Sequence, residues 1–351
     1  MPSGGVERQP PPECFPHPIN HTHIMKQGKG SVTHSIQREL TAQAKRLRRS
    51  TEALWLNKKV RNGRIAGIAA ASASVVGAAF LAYYLYKKDR KKVIREIPLS
   101  EPVKSVNIAT SVDLHLHFGE EPNLRITAAR YLLPFVRISL REGVLRIYSV
   151  GGANKPQKER IEAHLSIPYI EGLITGGNSC VYAVGINRTE RFLLEQFSQT
   201  VTGLEVRSQE SDIRIYGTGS AQLSVHSQNL SVRMVGSGEA DCELEVTGQA
   251  DITLEGSAKL YLSGSSGSII AVAAGTTILK AKDLYSPVGR VELSNRAYAH
   301  LNVQKELSGS YQDNSLLTLQ QRPSKLHIKG AQRRKEITYA DEPAKSRRHK
   351  A

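Results

Sequence analysis

The sequence predicts an all-β domain of short strands, either a β-helix (β-solenoid) or a β-sandwich, preceded by one transmembrane α-helix. Three observations carry this reading. From Leu204 to Ser310, apolar residues recur with a period of two in short runs: Ile213 and Ile215, Leu223 and Val225, Leu230 and Val232, Cys242 and Leu244, Ile252 and Leu254, Leu260 and Leu262. Such alternation turns one face of a strand toward a core. The runs start near residues 212, 221, 230, 240, 250 and 258 and are separated by Gly217-Thr218-Gly219, Gly236-Ser237-Gly238, Gly256-Ser257 and Gly264-Ser265-Ser266-Gly267, which permit tight turns. The third observation is the run Ile65 to Tyr86, which carries no charge.

Taken in order, residues 1–35 are rich in Pro, His, Gly and Ser and read as a disordered tail. Cys14, His17, His21 and His23 lie close together there, but Pro16 and Pro18 interrupt them and the spacing matches no zinc site held by a folded element. Residues 36–64 read as a basic juxtamembrane helix: Leu40, Leu47 and Leu54 repeat every seven residues and share one side, among Lys45, Arg46, Arg48 and Arg49. Such a helix suits the surface of an anionic leaflet.

Residues 65–86 have the length of a single transmembrane span, since a helix rising about 1.5 Å per residue then crosses a hydrocarbon core of roughly 30 Å. Arg64 and Lys87-Lys88 bracket the run, and Tyr83, Tyr84 and Tyr86 lie where an aromatic belt would. Small residues four apart, Gly67/Ala71 and Ala73/Gly77, would allow close helix packing in a homo-oligomer. Basic residues flank both ends, so charge alone does not orient the span.

Residues 96–330 form the strand domain. Alternating runs occupy Val106–Ile108, Val112–His117, Leu124–Thr127, Val136–Leu140 and Leu145–Tyr148, while Thr189–Thr200 reads as a helical turn or a divergent strand. Residues 331–351 read as a basic disordered tail. The formal charge of +16 divides unevenly: residues 1–95 carry 18 Lys+Arg against 5 Asp+Glu, residues 96–330 carry 23 against 24, and the tail carries 7 against 3. A near-neutral folded part argues against nucleic acid and for basic flanks beside a polyanionic surface such as a membrane.

The stretch from Arg95 to Ser310 resembles a known family. "PVKSVNIATSVDLHLHFGEEPNLRIT", "YLLPFVRISLREGVLRIY" and "IEAHLSIPYIEGLITGGNSCVYAVG", followed by small-residue turns of the "VGSGEADCELEV" kind, are similar in order to the auto-transporter adhesin head domain family, the bacterial GIN domain. Gly176-Gly177-Asn178 stands where a Gly-Ser-Gly would be expected. The resemblance implies a right-handed β-solenoid and a protein of the bacterial envelope. A strand of five or six residues is also too short for a membrane barrel, which needs about 9–11.

No site of chemistry stands out, so the expected catalytic, cofactor and metal residues are none. Glu239, Asp241, Asp251 and Glu255 are carboxylates close enough in sequence to be weighed as a glycan-cleaving pair, yet no Arg, Lys or His set recurs with them. His115 and His117 share one strand face without a third ligand, and the glycine turns lack the third glycine of a dinucleotide fingerprint. Cys242 falls on an inward position and reads as a small hydrophobe. Asn20-His21-Thr22 and Asn187-Arg188-Thr189 fit the glycosylation sequon. The sequence therefore points to a single-pass protein of the bacterial cytoplasmic membrane, with its solenoid extracytoplasmic and non-catalytic. It would serve adhesion or binding, with a protein or glycan ligand. The alternatives are a membrane-tethered, self-assembling scaffold of the bactofilin kind and an envelope glycan enzyme.

Overall fold

Alternation with small-residue turns yields strands that must double back. The computed structural model describes residues 91–119, 121–150, 160–329 and 337–340. The segments read above as tail, basic helix and membrane span (1–35, 36–64, 65–86) lie outside the described residues, as do 331–336 and 341–351. Among the described residues, no helix is long and apolar enough to cross a membrane.

The regular part consists of β11 (Val201–Gly217), β12 (Ser220–Gly236), β13 (Glu239–Gly256), β14 (Lys259–Gly275), β15 (Ile278–Ser294) and β16 (Tyr298–Tyr311). Val201 lies beside Ser220, and Gly217 beside Gly236, in one parallel ladder. Extended, the 17 residues of β11 would span about 55 Å at roughly 3.3 Å each. A three-residue step from Gly217 nevertheless brings the chain back alongside Val201, so β11 folds near residues 208–210. Each long strand thus serves two sheets that face one another, and a full coil takes 19 or 20 residues, as in Val201 to Ser220 and Glu239 to Lys259. The run spacing seen in the sequence is half a coil. Parallel ladders between successive coils exclude the β-sandwich, whose sheets are antiparallel. The architecture is a β-solenoid of about eight turns.

Inward residues of both sheets fill a thin aliphatic core. Leu204, Val206, Ile213, Ile215, Leu254 and Leu260 are all buried, and the stack continues through Leu301, Leu307 and Leu319. Along one edge, Gly217, Gly236, Gly256 and Gly275 stack with φ between 90° and 119°. A Cβ on Gly256 would approach the Gly236 carbonyl oxygen to 2.6 Å, so the turn needs glycine both for its left-handed backbone and for space. Ser257 N and Thr276 N donate to the Gly236 and Gly256 carbonyls at 2.7 Å, tying each turn to the one before. The opposite edge bends without a break, and the registers slip there, as between Ser227 and Leu230 and between Val246 and Gln249.

The N-terminal part is assembled out of sequence order. It comprises β1 (Lys92–Ile97), β2 (Ser105–Ile108), β3 (Val112–Phe118), β4 (Asn123–Ala129), β5 (Val136–Arg141), β6 (Val144–Ser149), β7 (Ile161–Ile167), β8 (Gly172–Thr175), β9 (Cys180–Arg188) and β10 (Arg191–Ser198). β2 lies between β6 and β8, and β3 between β7 and β9. The first coil in sequence is therefore second in the stack. Beyond it, β4 adds antiparallel to β7 and β1 adds antiparallel to β4, while β5 adds antiparallel to β6, closing this end.

Three local readings are refined. Thr189–Thr200 holds a strand, β10, whose Phe192, Leu194 and Gln196 point inward. The sheet starts at Lys92, inside the basic flank. At the far end β17 (Leu316–Leu319), β18 (Lys325–Lys329) and β19 (Ile337–Tyr339) continue the two ladders, so one strand lies within the stretch read as a disordered tail.

Candidate functional site

Two buried amides organise the surface where the irregular coils meet the regular ones. Asn187, at the end of β9, is fully buried, accepts a hydrogen bond from Ile170 N at 2.9 Å and donates one to Ile170 O at 2.9 Å. An amide that satisfies both backbone groups of one residue clamps the β7–β8 loop, which could not bury them unpaired. Gln196 does similar work one coil on, its amide nitrogen donating to Thr200 O at 2.6 Å and to Ser220 O at 2.9 Å.

The loop that Asn187 clamps carries Tyr169 and Glu171 into one wall of a cleft of about 550 Å³, whose other side holds Arg188, Glu190, Arg191 and Glu210. Leu193 N donates to Glu171 O at 2.9 Å and Glu171 N to Lys104 O at 2.7 Å, so the wall is fixed from three sides. Arg191 pairs with Glu210 across the ladder at 3.1 Å. An aromatic face that is 41% exposed, among carboxylates and guanidinium groups, suits a polar ligand rich in hydroxyls. Sequence reading missed this cleft because its residues come from three coils. The available signal was Asn187, a polar residue closing the strand after Val184 and Ile186, and the sequon drew attention away from it. Its nitrogen is buried and committed, so that sequon offers no acceptor. Asn20 lies outside the described residues.

A second concavity, of about 690 Å³, lies on the outer face of the β5–β6 hairpin against β2, lined by Asn107, Ser139, Arg141, Arg146 and Tyr148. A row of rings crosses the other sheet. His115 stacks on His164 with centroids 4.6 Å apart and on Tyr182 at 5.7 Å. His117 is exposed, whereas His115 is half-buried in this row. Burial, and then the neighbouring His115, push the pKa of His164 below the ordinary 6.5, which favours the neutral form of that ring. Among the described residues, no group of three or more His, Cys, Asp or Glu is placed to hold a metal ion.

The weighed carboxylates do not converge. Glu239 and Asp241 precede the bend of β13 and Asp251 and Glu255 follow it, so the two pairs stand on the outer faces of opposite sheets. Glu239 reaches Lys259 at 3.6 Å, Glu255 reaches Arg233 at 3.0 Å, and Asp251 accepts from Gln249 at 2.8 Å. Cys242 is inward as expected, and burial pushes its thiol up to about 12, away from thiolate chemistry.

Two sheets of one coil, with shallow polar concavities outside and aliphatic residues within, define a β-solenoid. Residues 103–323 match the model of the family described as "Putative auto-transporter adhesin, head GIN domain", and the chain belongs to that family. Two crystal structures described as putative adhesins share the fold. That from Parabacteroides merdae has a TM-score of 0.52 and 15% identity, over 71% of this chain and 96% of its own. That from Parabacteroides distasonis has a TM-score of 0.50 and 14% identity, over 72% of this chain and 98% of its own. No curated protein matches the chain.

Proposed function

We propose that this chain is a non-catalytic, single-pass membrane protein that presents its solenoid outside the bacterial cytoplasmic membrane for adhesion or binding. The observation that carries the reading is the fold shared with the head GIN domain family over residues 103–323, joined to an uncharged 65–86 run of spanning length. The cleft at Tyr169, with its aromatic face and mixed charges, supports a glycan or polar protein segment as ligand. The separation of the carboxylates onto opposite faces weighs against glycan cleavage, which needs two carboxyl groups flanking one bond within about 10 Å.

A scaffold built by end-to-end stacking is the less favoured alternative. Continuing both parallel ladders requires a parallel edge on each sheet at both ends, whereas at the N-terminal end one sheet stops at β5, which runs antiparallel to β6. The deciding experiment is protease treatment of intact cells and spheroplasts, followed by detection of the solenoid. Cleavage in spheroplasts is the expected result. Protection of the solenoid while a periplasmic control is cut overturns the reading.

A further inference from the structure

The N-terminal end of the solenoid carries its own apolar patch. The link from β4 to β5 contains a short 3-10 turn, Leu133–Phe135. Tyr131 and Phe135 on this link are 36% and 44% exposed, and Tyr148 and Val150 at the end of β6 are 39% and 44% exposed. Backbone pairing joins them: Val150 N donates to Phe135 O at 2.8 Å, and Arg137 lies opposite Tyr148 in the β5–β6 ladder. The result is a contiguous surface rather than scattered side chains.

Its rim is cationic. Arg130 and Arg137 are exposed, as are Arg141 and Arg146 in the adjoining hairpin groove. None of the four has a carboxylate within ion-pair distance among the described residues, although arginines farther along the stack do, such as Arg214 with Glu195 and Asp212 and Arg233 with Glu255. Aromatic rings beside long basic side chains are the composition that settles into a headgroup layer, rings at the acyl boundary and charges among the phosphates.

Chain length names the occupant. Arg130 N donates to Lys91 O at 3.1 Å, so the chain enters the fold directly beside Tyr131. The uncharged run ends at Tyr86, and residues 87–91 reach no farther than about 18 Å when fully extended. We propose that this end of the solenoid docks on the headgroup layer of an anionic bilayer through Tyr131, Phe135, Tyr148 and Val150, with Arg130 and Arg137 on lipid phosphates. The proposal rests on the reading of residues 65–86 as a membrane span.

The test uses the full chain with Cys14→Ser, in which Cys180 and Cys242 are protected by burial. An environment-sensitive fluorophore is attached through Phe135→Cys or, at the other end, through Leu316→Cys, whose parent side chain is 52% exposed. The protein is reconstituted into liposomes of phosphatidylcholine alone or mixed with phosphatidylglycerol, and retention is read by flotation after an alkaline wash. Retention, a blue-shifted emission at position 135 in the anionic liposomes and a water-like emission at position 316 are the expected outcome. Arg130→Glu with Arg137→Glu should remove the shift while leaving retention intact. Retention with the same water-like emission at both positions overturns docking and leaves the span standing. Loss of the protein in the alkaline wash overturns the span, and docking with it.

Discussion

The two halves of this solenoid are built from the same alternation yet differ in how neighbours find one another. From β11 to β16, each strand stacks on the one that follows it 17 to 20 residues later. From β1 to β9, stacking order departs from chain order, and two strands, β4 and β5, run against the rest. In the regular half, identical turns stack on identical turns, so one glycine dictates the next. In the cap, each turn faces a different partner, so a local defect stays local. The difference shows that a repeated coil concentrates its dependence on a few backbone positions, whereas a spliced end spreads it over side chains.

Replacing a ladder glycine should break this comparison most severely. In Gly275→Ala the new Cβ runs into the Gly256 carbonyl oxygen at φ 99°, and the expected loss is about 3 kcal/mol or more in urea unfolding. Gly143→Ala in the β5–β6 turn is the matched cap variant: its φ is 74°, but the nearest atom is the movable Lys104 Cγ at 3.1 Å, and the loss should be about 1 kcal/mol. Equal losses would erase the distinction between the halves.

Asn187→Ala comes next, at about 2 to 3 kcal/mol, because the N–H and C=O of Ile170 lose their partner inside the protein. Differential hydrogen exchange should show the β7–β8 loop opening while β12 to β15 stay protected. Uniform loss of protection would mean that the junction is no boundary.

Acid sharpens the comparison further, since each half holds one histidine that burial pushes below the ordinary value of 6.5, His164 in the cap and His300 in β16. The unfolded chain then takes up protons first as pH falls past about 6.5, so stability is complete above that value and declines below it until each folded histidine is protonated. The urea midpoint should fall between neutral and mildly acidic pH, and His164→Gln and His300→Gln should each remove part of the decline. A midpoint indifferent to pH, or insensitive to both variants, overturns this assignment. The smallest effect belongs to Arg214→Ala. Its partners Glu195 at 3.0 Å and Asp212 at 2.6 Å are solvent-facing, so the midpoint should move by less than about 1 kcal/mol.

Legibility in the sequence follows the same division. Ile213/Ile215 through Leu260/Leu262 fall inward as their alternation indicates, and the glycine turns fall where the small residues cluster. The bend at residues 208–210 shifts the inward phase from Leu204 and Val206 to Ser211 and Ile213, and that slip disguised one strand as two. The insertion of β2 between β6 and β8 was equally silent: Val106 and Ile108 alternate like any strand, and nothing in them names a partner. Asn187 was hidden by the bulge in its own strand between Tyr182 and Ile186, where Val184 and Gly185 are exposed and no inward run leads up to it. The cleft at Tyr169 inherits that obscurity.

The edge position of β1 has a mechanical consequence. β1 is held by a single ladder to β4, running from Lys92 opposite Ala129 to Ile97 opposite Leu124, and the chain enters at its Lys92 end. A pull on that entry point along the stacking axis opens the pairs one after another, starting at Lys92, instead of shearing six together. Beneath it, β4 remains closed on β7 from Asn123 to Thr127. Under tension the domain would first lengthen by one strand at low force and keep every coil intact. The cap strand would act as a fuse between the load and the fold.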